Sequence, residues 1–325
     1  MKSGGLKYYI LRRLIYAVLI AFGVVTITFI LLRLGPSSPA DKYLANMSAR
    51  AQDPSQVAAA IEARYGLDKP LYEQYWIYLT SLLRGDWGWS FSTSMPVMQL
   101  IKQHWVYSFQ LVLLATLFSA SLGILIGVYS AVKQYTKTDY IATLFSLIGI
   151  SVPNFWLGIM LIMVFSVKLG WFKTYYDTGL AMFSFANLKA LVLPVITLST
   201  GMMAGYTRYA RSATLDNLHK DFVRTARAKG LPERVVIGKH VFRNALLPII
   251  TIIMFDLAGV VFGGAYLTEI IFGIPGLGRI SFNAVFDNDY PVVITITLIG
   301  AMVVLLTNLL TDIVYTWLDP RIRYD

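Results

Sequence analysis

The chain has 325 residues, of which 56% are hydrophobic and 14% charged, and its mean hydropathy is +0.60. This composition is too apolar for a soluble protein of that length and indicates a polytopic membrane protein. The absence of cysteine excludes disulfides and thiolate metal sites. The formal net charge is +10, but the basic residues gather at the ends of apolar runs, a distribution that indicates membrane topology and not nucleic-acid binding.

Six apolar runs are long enough to cross a bilayer as helices. They cover residues 10–32, 108–132, 140–167, 188–210, 245–268 and 292–318. Basic residues precede the first run and no clear cleavage site follows it, so we expect an uncleaved anchor with a cytoplasmic N-terminus. The sequence thus predicts an all-α protein with six transmembrane helices.

The segment after the first span, residues 35–106, is the one sizeable polar piece and is expected to be extracytoplasmic. Asp53 and Pro54 are expected to begin a short helix that Gly66 ends. Pro70 is expected to open a second helix that reaches about Leu83. The sequence GDWGWSFS then favours a loop at the membrane interface, whose tryptophans either anchor the chain or contact a ligand.

A basic amphipathic segment, DFVRTARAKGLPERVVIGKHVFRNALLP, lies between the fourth and fifth spans. Leu218, Phe222 and Ala226 recur at helical spacing, which predicts that they face the protein. Gly230 stands where a helix ends in a left-handed residue, and Pro232 suits the first turn of a second short helix. The segment is therefore expected to be folded.

Positive charge also predicts the orientation. Placing both termini in the cytoplasm puts 17 of the 28 lysine and arginine residues on the inside, although the outer loops are much longer. The predicted parts are the N-terminal tail and first span (1–34), the extracytoplasmic segment (35–106), a core with five spans (107–318) and a cytoplasmic tail (319–325). The core includes a cytoplasmic loop at 212–243.

Reactive machinery is missing from the sequence. It contains neither a phosphate-binding loop around Gly238 and Lys239, nor a GxSxG motif, nor an HExxH motif. The sequence FGIPGLG at 272–278 has the wrong spacing for a dinucleotide loop, and its glycines are expected to permit a tight turn. We therefore expect a membrane protein that is not itself an enzyme.

Two polar positions inside the spans are candidates for a transport pathway. Asp256 lies near the middle of the fifth span, where it either meets a cationic group or is paired across the helix bundle. Pro153 and Asn154 interrupt the third span, where a freed carbonyl lines a path or the helix is simply kinked.

The chain resembles the transmembrane permease subunits of ABC importers, in particular the peptide and nickel group. The resemblance runs nearly end to end, and its last two landmarks together are highly specific. The landmarks are YGLDKPLYEQY, GDWGWS, SVPNFWLGIML, RTARAKGL with RNALLP, TEIIFGIPGLG, and DYP followed by NLLTDIVYTWLDPRIRYD. The chain departs from the family where Gly35-Pro36-Ser37-Ser38 replaces the usual PGDP.

The resemblance implies that residues 221–243 hold a coupling helix that contacts an ATPase subunit. The implied coupling residues are Asp221, Arg224, Ala226, Arg227, Gly230 and Leu231. It also implies a homologous second permease, two ATP-binding subunits and an external substrate-binding protein as partners, besides membrane lipid. ATP would be hydrolysed by those subunits, and no cofactor would be bound by this chain.

The function that follows is ATP-driven import of peptides across the inner membrane by alternating access. Import of oligosaccharides or nickel by the same architecture is the first alternative. A self-contained secondary transporter or channel is the second, and it predicts coupling-ion carboxylates in the spans and an inverted repeat. The sequence shows few intramembrane acids and no evident repeat.

Overall fold

A computed structural model of the chain describes residues 4–34, 68–259, 265–287 and 289–318. Within these ranges the protein is helical, and one isolated β-bridge joins Trp89 and Pro96. The helices are α1 (Gly4–Leu34), α2 (Leu71–Leu83), α3 (Val97–Val132), α4 (Lys137–Ser151), α5 (Asn154–Lys168), α6 (Phe185–Leu218), α7 (Asp221–Ala228), α8 (Glu233–Ala258), α9 (Tyr266–Phe272), α10 (Leu277–Phe286) and α11 (Tyr290–Leu318). The predicted all-α class is confirmed.

Four helices in the described part of the chain are long and apolar enough to cross a membrane: α3, α6, α8 and α11. The bent pair of α4 and α5 makes a fifth candidate if it is one span. The first predicted span, 10–32, falls within α1, a continuous helix of 31 residues. The count of six spans stays a prediction.

The third predicted span is broken at the expected place. Helices α4 and α5 meet at 95° around Val152 and Pro153. Val152 is extended (φ −79°, ψ 120°), as expected for a residue before proline, because the proline ring disfavours helical geometry there. The interruption is therefore a right-angle break between two helices and not a mild kink in one.

The fifth predicted span, 245–268, is wrong at its C-terminal end, because the helix that contains its first part stops at Ala258. Helix α8 begins at Glu233, contains a π-helical stretch at Val236–Val241, and ends at Ala258. Helix α9 is a separate short element. The second short helix expected after Pro232 is thus the first part of α8, because its apolar and helix-forming residues continue without a stop signal into the span.

Helix α6 is longer than its predicted span. It begins where the Ser184 hydroxyl accepts a hydrogen bond from the backbone of Asn187 (3.2 Å) and runs for 34 residues. At 1.5 Å per residue this is about 51 Å, against about 30 Å for the hydrocarbon core of a bilayer. One end of α6 therefore has length to spare for a region outside the membrane.

Glycines bring α3 and α4 into backbone contact with α6. A Cβ added at Gly127 would lie 2.4 Å from the carbonyl oxygen of Thr207, and one at Gly123 would lie 2.7 Å from that of Met203. A Cβ at Gly149 of α4 would lie 3.1 Å from the Cβ of Ala204. Small residues at such contacts are typical of membrane helices, which associate by close packing.

The chain divides into two compact units. One comprises Met1–Trp105, Ile280–Leu306 and Tyr324–Asp325; the other comprises Val106–Arg279 and Thr307–Arg323. In the first, the ring of Tyr75 in α2 packs edge-on against Phe29 of α1. The second has an apolar core around Leu111, Leu191, Phe272 and Ile274.

The helix expected after Pro70 is confirmed as α2, which ends at Leu83. The helix expected between Asp53 and Gly66 lies outside the described residues. After α2 the chain turns at Gly85 and Gly88, both with φ +81°. Further along, Asp289 is fully buried and accepts hydrogen bonds from the hydroxyl groups of Ser90 (2.5 Å) and Ser92 (2.8 Å).

The close contact of α3 with α6 gives a test. We expect Gly127→Ala to lower the stability of the purified protein by about 1 to 3 kcal/mol, because the added methyl group overlaps a backbone oxygen that cannot move aside. Gly205→Ala in α6 is the control, since no atom beyond the local backbone of its own helix lies within 4 Å of its added Cβ. Thermal unfolding in detergent measures both, and equal melting temperatures would contradict the packing described here.

Candidate functional site

The folded segment between α6 and the membrane part of α8 is called the handle here and comprises residues 221–241. Its first part, α7, is stabilised by an acid in the first turn, Asp221, and a base in the last, Arg227. The helix ends in two hydrogen bonds, from the backbone of Gly230 to Arg227 (2.9 Å) and from that of Leu231 to Ala226 (3.4 Å). Gly230 has φ +73°, so this is a Schellman end that favours glycine.

A small apolar core holds the handle together. It contains Val223, Ala226, Val236 and Val241, all buried, with Leu218 of α6 packed against it. Ala226, which the helical spacing predicted to face the protein, lies in this core. The handle is thereby joined to both of the helices that flank it.

The predicted inward face of α7 is wrong at one position. Phe222 is 37% exposed, whereas Val223 is fully buried. The prediction assumed one continuous helix from Leu218 onward, but α6 ends at Leu218 and two residues, His219 and Lys220, separate it from α7. The phase is reset by this break, so Val223 and Ala226, three residues apart, point inward.

The outer face of the handle is charged. Asp221, Arg224, Gly230 and Leu231 are exposed, as is Arg227. The guanidinium of Arg227 donates to both carboxylate oxygens of Glu233, at 2.6 Å and 3.2 Å, and so bridges α7 and α8 across the turn. Five of the six coupling residues predicted from the sequence thus share one exposed segment.

The two pathway candidates contact different parts of α6. The hydroxyl of Tyr206 in α6 donates to Oδ2 of Asp256 (2.5 Å), so the carboxylate has a neutral hydrogen-bond donor across the bundle. Asn154 is the first residue of α5, and its Oδ1 lies 3.6 Å from the position that a Cβ added to Gly201 of α6 would take. Their roles in transport stay predictions.

A groove opens at the break between α4 and α5. Its lining is apolar apart from one serine and comprises Leu147, Ile148, Ser151, Val152, Pro153, Phe155 and Trp156. Asn154 stands between two of these residues in the chain. Among the described residues there is no group of three acidic or histidine side chains that could hold a metal ion.

A buried carboxylate that the sequence analysis missed shapes the FGIPGLG turn. Glu269 is fully buried; its Oε1 accepts from the Ser108 hydroxyl (2.5 Å) and its Oε2 from the backbone of Arg279 (2.9 Å). A Cβ added at Gly276 would lie 2.4 Å from Oε1. Burial raises the pKa of Glu269, and the hydrogen bonds from Ser108 and the backbone of Arg279 and Gly278 oppose that rise.

The expected tight turn is confirmed, with Gly273 at φ +69° ending α9. Its cause is more specific than glycine flexibility, because the turn wraps around a carboxylate. No local pattern links Ser108 to Glu269, since they are separated by 161 residues. The apolar residues on both sides of Glu269 were the one available signal, because a carboxylate in such a stretch needs hydrogen-bond partners.

Long apolar helices and a folded, charged segment between two of them indicate a membrane protein. The chain belongs to the family of binding-protein-dependent transport system inner membrane components: the family model matches residues 123–324, and the model of the N-terminal region matches residues 6–112. The resemblance given by the sequence motifs is thereby confirmed. The protein is a non-catalytic permease subunit of an ABC transporter of the inner membrane.

Its relatives match over almost the whole chain. It is 40% identical to the oligopeptide transport system permease protein AppB of Bacillus subtilis, over 97% of this chain and 99% of the relative. It is 39% identical to the di/tripeptide transport system permease protein DppB of Pseudomonas aeruginosa, over 97% and 98%.

A solved structure shows the same fold. It is a chain from the inward-facing MetNI methionine ABC transporter, with a TM-score of 0.53 and 18% identity, covering 70% of this chain and 100% of that one.

The Glu269 turn is open to a direct test. We expect Glu269→Leu to destabilise the protein by about 1 to 3 kcal/mol or more, because it leaves buried backbone N–H groups without acceptors. Glu269→Gln keeps an acceptor oxygen and is expected to cost less. Thermal unfolding ranks the two variants, and equal losses would show that the hydrogen bonds to the carboxylate do not hold the turn.

Proposed function

We propose that this chain forms one half of the translocation pathway of an ATP-driven peptide importer and that a homologous permease forms the other half. The observation that carries the proposal is the match, along almost the entire chain, to permease proteins named for oligopeptide and di/tripeptide transport. Peptide is favoured over oligosaccharide or nickel because those names specify peptides.

The proposed topology has six spans with both termini in the cytoplasm and residues 35–106 outside. The distribution of basic residues supports it, since 17 of the 28 lysine and arginine residues lie in the segments that this topology places inside: the N-terminus, the turn at 133–139, the stretch 208–243 and the C-terminal tail. In this arrangement α6 enters the cytoplasm at its C-terminal end and carries the handle beyond the membrane.

The proposed partners are two ATP-binding subunits, the second permease and an external substrate-binding protein. The handle would rest in a groove of one ATP-binding subunit, with Arg224, Arg227 and Leu231 at the contact. When those subunits close on ATP, they would push the handle as one stiff body and turn the helices attached to it. The turn would change the side of the membrane to which the pathway is open. The handle needs shape and stiffness for this role, and its buried core and the bridge between Arg227 and Glu233 support both.

Gly230 tests the coupling role. We expect Gly230→Val to separate ATP hydrolysis from transport, because φ +73° strains an L-residue by roughly 1 to 2 kcal/mol and would tilt α7. Gly238→Val is the control, since that glycine lies in the handle without a positive φ and no atom beyond the local backbone of its own helix lies within 4 Å of its added Cβ. Peptide uptake and peptide-stimulated ATPase activity are measured with the complete transporter in proteoliposomes. Wild-type values of both for Gly230→Val would count against a coupling role.

Asp256 tests the pathway. If its carboxylate faces a wet cavity, Asp256→Asn should lower uptake of a cationic peptide relative to a neutral one by roughly fivefold, which corresponds to about 1 kcal/mol of lost attraction. Tyr206→Phe removes the hydrogen bond to Asp256 and keeps the charge, so it should leave that ratio unchanged. Uptake of the two peptides and the amount of assembled transporter are measured together. An unchanged ratio in Asp256→Asn would exclude the pathway role.

Asn154 is proposed to line the same pathway at the break between α4 and α5. Its amide stands at the start of α5 beside the apolar groove, where the first N–H groups of the helix have no partner within the helix. A polar side chain at this point supports the passage of a polar substrate across an otherwise apolar surface.

A further inference from the structure

An ion pair between Asp139 and Arg211, neither of which the sequence analysis singled out, lies near the end of α6 that carries the handle. Asp139, in the first turn of α4, is 3% exposed. Arg211 of α6 donates from Nε to its Oδ1 (2.7 Å) and from a terminal nitrogen to its Oδ2 (2.8 Å). This two-point geometry fixes both the distance and the relative angle of the two side chains.

Two further donors complete the surroundings of this carboxylate. The hydroxyl of Ser130, near the end of α3, donates to Oδ1 of Asp139. The backbone of Tyr135, in the turn between α3 and α4, donates to Oδ2 (3.0 Å). Tyr135 has φ +63°, an uncommon conformation for a residue with a side chain, and the hydrogen bond to Asp139 helps to hold it. One carboxylate therefore ties together α3, the turn, α4 and α6.

Arg211 lies close to the end of α6 that carries the handle. Arg211 precedes the end of α6 by two helical turns, or roughly 10 Å. The last residue of α6, Leu218, packs against the core of the handle. On the other side of Arg211, Gly127 of α3 meets the backbone of α6 at Thr207. The ion pair thus lies between the handle and the tight packing of the helices.

The geometry points to Asp139 and Arg211 as positioning residues for energy coupling, a role that rests on the proposed function of the handle. They lock the hairpin of α3 and α4 to the end of α6 that carries the handle. A displacement of the handle by an ATP-binding subunit is then passed to three helices as one body. Without the pair, the last turns of α6, which lie beyond the glycine contacts, can bend or turn against the hairpin, and part of the displacement is lost before it reaches the pathway.

The first experiment uses the complete transporter in proteoliposomes and measures peptide molecules imported per ATP hydrolysed. We expect Asp139→Asn to lower this ratio at least fivefold while peptide-independent ATPase activity and the amount of assembled transporter stay within twofold of wild type. Arg211→Lys keeps the charge but loses the two-point contact, so its import ratio should lie between that of wild type and that of Asp139→Asn. Asp177→Asn, which breaks the exposed ion pair of Asp177 with Lys173, is the matched control and should leave the ratio unchanged.

The second experiment measures movement without requiring transport. The chain has no cysteine, so spin labels can be attached to cysteines introduced by Lys133→Cys in the hairpin and Asp216→Cys near the end of α6, both exposed positions. We expect the distance between the labels to be the same in the nucleotide-free and ATP-bound transporter when Asp139 is present. In Asp139→Asn the distance should change between the two states.

The two experiments separate the possible failures. If wild-type transporter imports no peptide, the proposed function fails and the label distance alone decides the role of the ion pair. If Asp139→Asn retains both the wild-type import ratio and the wild-type label distances, the positioning role is overturned. A loss of import that only parallels a loss of assembled transporter, with unchanged label distances, also overturns it and leaves a stabilising role.

Discussion

Contact between helices at the level of the backbone is the constraint on which the larger compact unit depends. Helix α6 touches α3 at Gly123 and Gly127 and touches α4 at Gly149. At these points its carbonyl oxygens and Cβ atoms lie directly against the glycines, with no layer of interdigitated side chains between the helices. In lipid, apolar side chains gain little by leaving the solvent, and close packing is what holds helices together. The position of α6 is consequently fixed along much of its length, and the elements that matter for function are attached to it.

The handle is held together for a related reason. A cytoplasmic loop of this length has few residues with which to build a core, and four small side chains on α7 and α8 are the ones it buries. Valine and alanine allow the short helix to lie close to its neighbours. At the Schellman end at Gly230, backbone N–H and C=O groups bond to one another, whereas in an ordinary loop they would bond to water. The handle is therefore held together by dense local contact and not by its size.

The sequence predicted local features well and distant pairings poorly. The left-handed Gly230, the interruption at Pro153 and the end of α2 each follow from one or two residues whose backbone preferences are strong. The burial of Val223 in place of Phe222 was missed because a two-residue break at the end of α6 shifts the helical phase. The hydrogen bonds of Glu269 with Ser108 and of Asp139 with Arg211 span 161 and 72 residues, and nothing in a single sequence records which helices become neighbours.

The right-angle break between α4 and α5 limits what can lie beside this part of the subunit. Each helix end at the break leaves backbone N–H or C=O groups without partners in the helix, while Ile148, Phe155 and their neighbours keep the surroundings apolar. Such groups cost several kcal/mol each against hydrocarbon, so lipid is an unsuitable neighbour at this point. Water or protein beside the break would supply partners for these groups, whereas lipid would leave them unpaired.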